Sequence, residues 1–295
     1  MITLVKKGME PQVMSKVISK DGTPIGYERI GEGQPVILVD GAFCYRGFGP
    51  MPKLAALLAP HFSVVTYDRR GRGESGDTQP YAVQREIEDI GALVEAVGGS
   101  ASLVGLSSGA VLALRAAASG LAIPKLALYE PPLVIREAPA PRPPDNTATI
   151  RALVAADRRG DAVKLFMRTV GVPAFMIPLM RIMPGGVWSK LTAVAHTLPY
   201  DFAQLGDTGA EKPLPQELAR AMGSVTAETL AMFGGKSPAY MQYAARTLAG
   251  GIKGARVRTI EGQTHNVAPK AIAPVLIEFL QGTPAATSGQ VLART

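Results

Sequence analysis

The stretch with the clearest capacity for chemistry is Gly105-Leu106-Ser107-Ser108-Gly109, which follows a short apolar run and precedes a segment rich in Ala, Val and Leu. This order predicts a buried strand, an abrupt turn and a helix, because glycine at both outer positions leaves room where a Cβ would crowd the neighbouring backbone. Ser107 would lie at the apex in a strained conformation, and the Ser108 amide would face its hydroxyl from a helix N-terminus, where positive partial charge favours an oxyanion. The spacing predicts a serine nucleophile; a turn with a capping serine is the alternative interpretation.

A histidine late in the chain could supply the base for this serine. His265 follows a strand-like run at 257–260 and a glycine-containing turn, so it is predicted to lie on a loop at the carboxyl edge of the sheet. An imidazole there can take the proton of Ser107 and later deliver it to the leaving group. An exposed loop histidine is the alternative. His61 precedes a strand and His196 lies in a helical segment, so both are expected to be structural or substrate-lining.

The elements that must position these residues alternate between apolar runs and helix-like periodicity. Besides the run before Ser107, strands are predicted at 13–19, 25–30, 35–39, 62–67, 125–129, 228–233 and 256–260. Besides the segment after Ser107, helices are predicted at 51–58, 84–97, 239–248 and 268–280. The alternation predicts an α/β fold with a mostly parallel central sheet flanked by helices, whose strand ends share one rim. The residues at those strand ends are Asp40, Asp68, Ser107 and Glu130.

The composition changes at Pro131. Six prolines between 131 and 144 exclude helix or central strand there and predict an extended linker. Helical patterns follow at 149–159, 162–170, 174–183 and 187–198. We therefore predict an α/β core from 1–130 and 223–295, with a helical lid at 131–222 inserted after the sixth core strand. The small, polar stretch 282–295 is predicted to be a frayed tail.

The composition predicts a folded protein and argues against several classes of partner. The 295 residues are 47% hydrophobic, and the net charge of +7 comes without a Lys/Arg-rich run or a nucleic-acid motif, so we expect no nucleic-acid partner. The three histidines lack metal-ligand spacing, which predicts neither a metal nor another cofactor. No run of 18 apolar residues appears, so no membrane partner is expected.

The single cysteine and the first residues bear on the compartment. Cys44 excludes an internal disulfide and fits a reducing environment, and residues 1–10 lack the apolar core of a signal peptide. We therefore expect a cytoplasmic protein, as a monomer or homodimer. A thiol nucleophile at Cys44 is the less favoured use, because neither a base nor a helix start lies beside it in the sequence.

Four ordered motifs make the chain resemble the α/β-hydrolases of the lid-bearing, epoxide-hydrolase-like branch over nearly its whole length. They are Val39-Asp40-Gly41-Ala42, the segment 67–75, the Gly-x-Ser-x-Gly turn and Gly262-Gln263-Thr264-His265. The resemblance implies a serine nucleophile, a carboxylate and a late histidine, in that chain order. It also implies that the amides of Ala42 and Ser108 form the oxyanion hole, with Phe43 as the neighbouring possibility. The family usually has His-Gly where this chain has Asp40-Gly41, so the hydrogen bonding of this loop departs from the family pattern.

The carboxylate departs from the commonest family pattern as well. The turn after the strand at 228–233 is 234–238, Gly-Gly-Lys-Ser-Pro, which contains no acid. A minority of the family, including some haloalkane dehalogenases and zearalenone-type lactonases, has a Glu after the preceding core strand, where this chain has Glu130. A carboxylate is needed to hold the imidazole in the right tautomer, so Glu130 is the predicted acid. Asp201, a dyad without an acid, and a Glu that merely begins the linker are the alternatives.

A serine rather than an aspartate as the nucleophile limits which reactions of the family are expected here. Dehalogenases and epoxide hydrolases of this family need an Asp to form an alkyl-ester intermediate, whereas a Ser forms an acyl-enzyme. Short similarities to zearalenone-type lactonases favour lactones among the acyl substrates. The Met- and Phe-rich lid predicts an apolar pocket, and the residues expected to line it are Phe43, Phe175, Met176 and Trp188.

We therefore expect a cofactor-free serine hydrolase that cleaves a small hydrophobic carboxylic ester or lactone with Ser107, His265 and Glu130. Two other classes stay open. One is a carbon–carbon bond hydrolase or cofactor-free haloperoxidase on the same three residues, and the other is a non-catalytic ligand receptor of the same fold. Substrate turnover that is lost in Ser107→Ala would separate an enzyme from a receptor.

Overall fold

One mostly parallel sheet organises the chain in the computed structural model, which describes residues 15–206 and 208–282. Its strands are β1 Ser15–Ile18, β2 Pro24–Ile30, β3 Pro35–Val39, β4 Ser63–Tyr67, β5 Ser102–Leu106, β6 Lys125–Tyr129, β7 Glu228–Gly234 and β8 Arg256–Ile260. Their order across the sheet is β1-β2-β4-β3-β5-β6-β7-β8, and every pair from β4 to β8 is parallel. The α/β class and the mostly parallel sheet that the sequence predicts are confirmed.

The two N-terminal strands form the antiparallel edge of this sheet. β1 pairs with β2, and β2 pairs with β4, both in antiparallel fashion. The turn between β1 and β2 closes where the Ser19 amide donates a backbone hydrogen bond of 2.8 Å to the carbonyl of Thr23. Residues 13 and 14 of the predicted first strand, the segment 1–10 and residues 283–295 of the predicted tail lie outside the described residues.

Helices cover both faces of the sheet. They are α1 Met51–Leu58, α2 Val83–Ala96, α3 Ser108–Ala118, α10 Ala239–Gly251 and α11 Pro269–Gln281. α1 and α11 bury Leu54, Leu58 and Phe279 against one face, whereas the apolar sides of α2 and α3 pack on the other. The central strands carry aliphatic side chains on both faces because both faces are covered.

The chain between β6 and β7 forms a further group of short helices. They are α4 Thr147–Ala155, α5 Arg159–Thr169, α6 Met176–Leu179, α7 Val187–Ala193, α8 Leu198–Leu205 and α9 Gln216–Ser224, with a 3₁₀ turn at Ala195–Thr197. Three predicted helices are wrong in extent. The one at 149–159 ends at Ala155, because Asp157 has a positive φ of 53° and a new helix begins at Arg159. The one at 174–183 is only the single turn α6, which lies between Pro173 and the Pro184-Gly185-Gly186 run. The one at 187–198 ends at Ala193, and Pro199 then lies in the first turn of α8.

These inserted helices bury an apolar cluster of their own, which includes Ile150, Val163 and Leu198 and reaches Phe43 in the loop after β3. α9 differs from the others, because its buried Leu218 and Met222 join clusters formed with core helices. The insertion follows the sixth strand, as the sequence predicts; that it acts as a lid remains a prediction. Within the described residues, no helix has the length and hydropathy needed to cross a membrane.

Candidate active site

The turn between β5 and α3 holds Ser107 in a strained conformation. Its φ of 57° and ψ of −130° lie outside the regions that L-residues ordinarily adopt. A Cβ on Gly105 would lie 2.6 Å from the Cα of Ala110, and a Cβ on Gly109 would lie 2.8 Å from the carbonyl carbon of Asp40. Only glycine fits at these two positions, so the packing of β3 and α3 around the turn accounts for the Gly-x-Ser-x-Gly pattern.

Three side chains from distant parts of the sequence meet at this turn. Nε2 of His265 lies 3.1 Å from Oγ of Ser107, and Nδ1 of His265 lies 2.8 Å from Oε2 of Glu130. A carboxylate only accepts hydrogen bonds, so Nδ1 carries the proton and Nε2 is the acceptor that faces the serine hydroxyl. This is the arrangement that a general base needs.

Glu130 is fully buried at the end of β6 and is held on both carboxylate oxygens. Oε2 accepts from His265, and Oε1 accepts from the amide of Gly234, which is 2.7 Å away. The backbone of Glu130 has a φ of 47°, and its own amide donates to the carbonyl of Met232 at 3.0 Å. A glutamate in this left-handed conformation is strained, which is typical of residues that a site holds in place.

The loop that carries His265 is attached to the ends of two strands. The Tyr129 hydroxyl donates to the carbonyl of Thr264 at 2.6 Å, and the Lys236 amide donates to the carbonyl of Gln263 at 2.8 Å. The His265 side chain remains 34% exposed, which leaves its ring accessible beside Ser107. Sequence reasoning did not identify Tyr129, because an aromatic residue inside an apolar strand gives no signal for such a role.

The loop after β3 passes directly beside the candidate nucleophile. A Cβ on Gly41 would lie 2.9 Å from Cβ and 3.4 Å from Oγ of Ser107. Ala42 follows at once, so its amide belongs to the peptide next to the serine, while Ser108 is buried at the first position of α3. Phe43 has a φ of 61°, so this loop is the third strained segment at the site, after those of Ser107 and Glu130. These positions are compatible with the predicted oxyanion donors Ala42 and Ser108.

The chain has Asp40 where the family usually has histidine, and this carboxylate is buried. Its Oδ1 accepts the Gly41 amide at 2.9 Å. Burial raises the pKa of Asp40 to about 6, although the Gly41 amide and the nearby Arg72 charge oppose this shift. Burial and the Asp40 carboxylate also raise the pKa of the Cys44 thiol well above its usual value. Cys44 is therefore protonated at neutral pH, which disfavours a thiol nucleophile.

Arg69, Arg70 and Arg72 in the loop after β4 are buried, and the sequence did not predict the partners of Arg69 and Arg72. Asp201, an alternative acid for the histidine, is instead paired with two of them: its Oδ1 accepts from Arg69 and its Oδ2 from Arg72, both at 2.7 Å. Both Asp201 oxygens therefore face arginines, whereas Nδ1 of His265 faces Glu130, so these contacts favour Glu130 over Asp201 as the acid. Asp68, the strand-end carboxylate after β4, holds the surrounding loops together, since it accepts the amides of Arg46 and Glu74 at 2.7 and 2.9 Å.

The residues predicted to line the substrate pocket have different surroundings. Phe43 is buried and packs edge-to-face on Phe166, with ring centroids 5.1 Å apart. Trp188 is half-buried under the guanidinium of Arg181, which lies 4.8 Å from the ring centroid. Phe175 and Met176 are 72% and 43% exposed. Contact of these four residues with substrate stays a prediction, and it is least supported for the two exposed ones.

The other two histidines, His61 and His196, have side-chain neighbours of their own. His61 lies 3.4 Å from the side-chain amide of Gln281, and His196 lies between Arg159 and Asp77. Burial and the Arg159 charge lower the pKa of His196. Across residues 15–206 and 208–282, no three His, Cys, Asp or Glu side chains are grouped as a metal site would require.

Comparison with known proteins points to one family. The sequence model of the alpha/beta hydrolase family matches residues 36–275. A solved alpha/beta hydrolase from Sphaerobacter thermophilus is 51% identical with a TM-score of 0.79, over 90% of this chain and 100% of that one. An esterase from Thermogutta terrifontis is 21% identical with a TM-score of 0.65, over 92% and 98% of the two chains. A meta-cleavage product hydrolase from Pseudomonas fluorescens is 16% identical with a TM-score of 0.61, over 91% and 97%.

The two distant structures show a shared fold alone, whereas the family match spans most of the residues that build the sheet and the site. All three side chains that meet at the Ser107 turn fall inside it, and so does the insertion between β6 and β7. The chain belongs to the alpha/beta hydrolase family.

Proposed function

We propose that this hydrolase cleaves a small hydrophobic carboxylic ester or lactone through an acyl-enzyme on Ser107. The observation that carries the proposal is the position of the His265 ring, with Nε2 3.1 Å from the Ser107 hydroxyl and Nδ1 2.8 Å from the buried Glu130 carboxylate. The structural similarity to an esterase from Thermogutta terrifontis is compatible with it.

The reaction follows from the direction of each hydrogen bond. Ser107 Oγ attacks the ester carbonyl while its proton moves to Nε2 of His265, and the imidazolium is stabilised by Glu130. The tetrahedral intermediate collapses, the C–O bond to the alcohol breaks, and the alcohol leaves with that proton. Water then attacks the acyl carbon with His265 as base, which releases the acid and restores Ser107. The amides of Ala42 and Ser108 would stabilise the oxyanion in both steps.

The proposed substrate is apolar because aromatic side chains surround the loop after β3 that carries Ala42, which we call the oxyanion loop. Phe43, next to Ala42, packs on Phe166, and Phe166 in turn lies 6.3 Å from the ring of Phe202. We propose that these rings, with Trp188, provide the apolar wall of the acyl pocket. We also propose that the helices between β6 and β7 act as a lid, because they carry most of this wall and follow the strand that ends in Glu130.

The test is hydrolysis of p-nitrophenyl esters of increasing acyl length and of γ- and δ-lactones. Wild type should show a burst followed by saturable turnover, and Ser107→Ala should lower kcat by at least about 10⁴-fold. Ser119→Ala is the matched control, because Ser119 lies at the opposite end of α3 and its hydroxyl donates to the carbonyl of Ala116. A Ser107→Ala protein that keeps wild-type turnover would contradict the proposal, because another group would then be the nucleophile. A wild type that is inert to every ester and lactone would also contradict it and would favour the carbon–carbon hydrolase or receptor alternatives.

A further inference from the structure

We infer that Asp201, in the helices inserted between β6 and β7, and Arg72, in the loop after β4, are positioning residues that together orient both oxyanion-hole amides. The inference rests on the proposed role of Ser107 and assigns to the insertion a part in the reaction beyond covering the substrate. Asp201 lies in α8, whereas Arg72 lies in the loop after β4. Their side chains meet beneath the oxyanion loop and are buried to within a few per cent.

Arg72 fixes the peptide that carries the first oxyanion donor. Its Nη1 donates to the carbonyl of Gly41 at 2.6 Å and to the carbonyl of Cys44 at 3.2 Å. The Gly41 carbonyl and the Ala42 N–H belong to one trans peptide plane, in which the two groups point in opposite directions. Holding the carbonyl toward Arg72 therefore turns the Ala42 N–H away from it. Gly41 lies beside Ser107. The direction of the Gly41 carbonyl therefore sets the direction in which the Ala42 N–H points near the serine.

Asp201 connects this arrangement to the second donor. Its Oδ2 accepts from Arg72 at 2.7 Å, and its Oδ1 accepts from the Ser108 hydroxyl at 2.8 Å. Ser108 is the first residue of α3 and supplies the other predicted oxyanion amide, so one carboxylate holds both sides of the hole. Arg69 adds a third link, because its Nη1 bonds Oδ1 of Asp201 at 2.7 Å and reaches the Asp40 carbonyl at 3.3 Å.

The network consists of charged side chains that are buried away from water, so its hydrogen bonds have no competing solvent partners. Burial alone would raise the pKa of Asp201, but the charges of Arg72 and Arg69, with the Ser108 hydrogen bond, hold it below its usual value. Arg72 also directs its Nε to the Thr197 hydroxyl at 3.0 Å, in the turn before α8. These hydrogen bonds of the Arg72 guanidinium therefore go either to the oxyanion loop or to the inserted segment.

The chain contains a matched pair that lacks these connections. Arg70 is fully buried like its neighbours, and it bonds both oxygens of the buried Asp89 at 2.7 and 2.8 Å. Its remaining contacts are Asp21 at 3.0 Å and the carbonyl of Arg85 at 3.3 Å, neither of which belongs to the oxyanion loop or to the insertion. Asp89→Asn therefore breaks a buried ion pair, as Asp201→Asn does, but outside the oxyanion loop and the insertion.

The experiment compares Asp201→Asn, Arg72→Lys and Ser108→Ala with Asp89→Asn in the full chain. Stopped-flow measurements with p-nitrophenyl acetate give the ester dissociation constant and the rates of acylation and deacylation, and phenylboronic acid reports binding of a tetrahedral adduct. We expect Asp201→Asn and Arg72→Lys to slow both chemical steps by about tenfold to a hundredfold and to weaken boronate binding equally. Ester dissociation should change by less than about twofold, since the oxyanion amides act on the tetrahedral state.

Ser108→Ala should slow both steps less, because it removes only the link to α3 and leaves Arg72 in place. Asp89→Asn should lower Tm and keep wild-type rates. Equal losses in Asp89→Asn and Asp201→Asn, or wild-type rates in Arg72→Lys and Ser108→Ala, would overturn the positioning role while the proposed function stands. A wild type that forms no acyl-enzyme would overturn both.

Discussion

The amide of Gly234 donates a hydrogen bond of 2.7 Å to Oε1 of Glu130, so the end of β7 holds a carboxylate that comes from the end of β6. The commonest family arrangement has the acid on the turn after β7 itself. Here that turn contributes a backbone donor in place of a side chain, and the second oxygen of Glu130 is left to receive Nδ1 of His265. Two adjacent strand ends thus contribute to one hydrogen-bonded arrangement, with a carboxylate from β6 and a backbone donor from β7.

Replacing Glu130 with Gln should remove the acceptor that sets the histidine tautomer while keeping the shape of the site. The amide oxygen of the introduced glutamine can still accept from Gly234, so Tm should change little, whereas kcat should fall by about 10³- to 10⁴-fold. Steady-state ester hydrolysis measures this. Glu228→Gln on β7 is the matched control, because its carboxylate pairs with Arg256 at the surface. Activity within about tenfold of wild type would mean that another group orients His265.

A methyl group on Gly234 should disturb the site by displacing the backbone of the loop that carries His265. A Cβ there would lie 2.6 Å from the carbonyl carbon of Gln263, which is backbone of the loop that carries His265. Gly234→Ala should therefore displace that loop, with at least a tenfold loss of kcat and a loss of about 1–3 kcal/mol in the free energy of unfolding. Urea unfolding and ester turnover measure the two effects.

Gly250→Ala is the control for Gly234→Ala. A Cβ on Gly250 would meet nothing within 4 Å, and the residue lies in the last turn of α10, so alanine should change the free energy of unfolding by less than about 1 kcal/mol and leave turnover unchanged. Full activity in Gly234→Ala would show that the loop carrying His265 can move without loss of function. The close approach of Gly234 to the Gln263 backbone would then have no catalytic consequence.

The sequence predicted those parts of the site whose residue types are forced by local geometry. Gly105 and Gly109 leave no room for a Cβ, so the turn around Ser107 has a pattern that can be recognised without a structure. The strand ends followed from continuous apolar runs, and Glu130 followed from the lack of a carboxylate at 234–238 together with the family resemblance.

The arginine network could not be predicted in the same way. Arg69 and Arg72 are charged residues in a glycine-rich loop, which ordinarily indicates an exposed turn, and their partner Asp201 lies 129 residues beyond Arg72. Their burial depends on the insertion folding back over the loop after β4. The spacing of apolar residues within a short segment cannot predict such a long-range contact. The over-long helices at 174–183 and 187–198 failed for a related reason: Pro and Gly interrupt an otherwise helical apolar spacing.

Replacing the Phe166 ring beside the oxyanion loop with a smaller side chain should change which acyl chain lengths the enzyme accepts. Phe166 packs edge-to-face on Phe43, the residue after Ala42, so Phe166→Leu should open space next to the acyl group. We expect the kcat/KM ratio of p-nitrophenyl octanoate to p-nitrophenyl acetate to rise by about tenfold. Phe279→Leu, in α11 and in a separate apolar cluster from Phe166, should lower Tm without changing this ratio. An unchanged ratio in Phe166→Leu would place the acyl pocket elsewhere.

Asp40 gives the site a pH-dependent contribution to stability whose sign follows from its burial. Burial raises its pKa in the folded state from 3.8 to about 6, so the folded protein binds this proton more tightly than the unfolded chain does. The free energy of unfolding therefore falls as pH rises from about 4 to above 6, by about 3 kcal/mol for a shift of about two pH units. The ionised form persists at neutral pH because Gly41 donates its amide to Oδ1.

Asp40→Asn should remove this penalty. Asparagine carries no charge and can still accept the Gly41 amide, so the variant should match wild type near pH 4 and become more stable than wild type by about 3 kcal/mol above about pH 7. Urea unfolding at a series of pH values measures the difference. Asp161→Asn is the control: Asp161 is exposed and its pKa is lowered by hydrogen bonds from Lys164 and Arg158, so this variant should lose stability slightly relative to wild type as pH rises. A difference between Asp40→Asn and wild type that stayed constant from pH 4 to pH 8 would show that Asp40 does not titrate in this range, and that its buried carboxylate is balanced by Arg72 and Arg69.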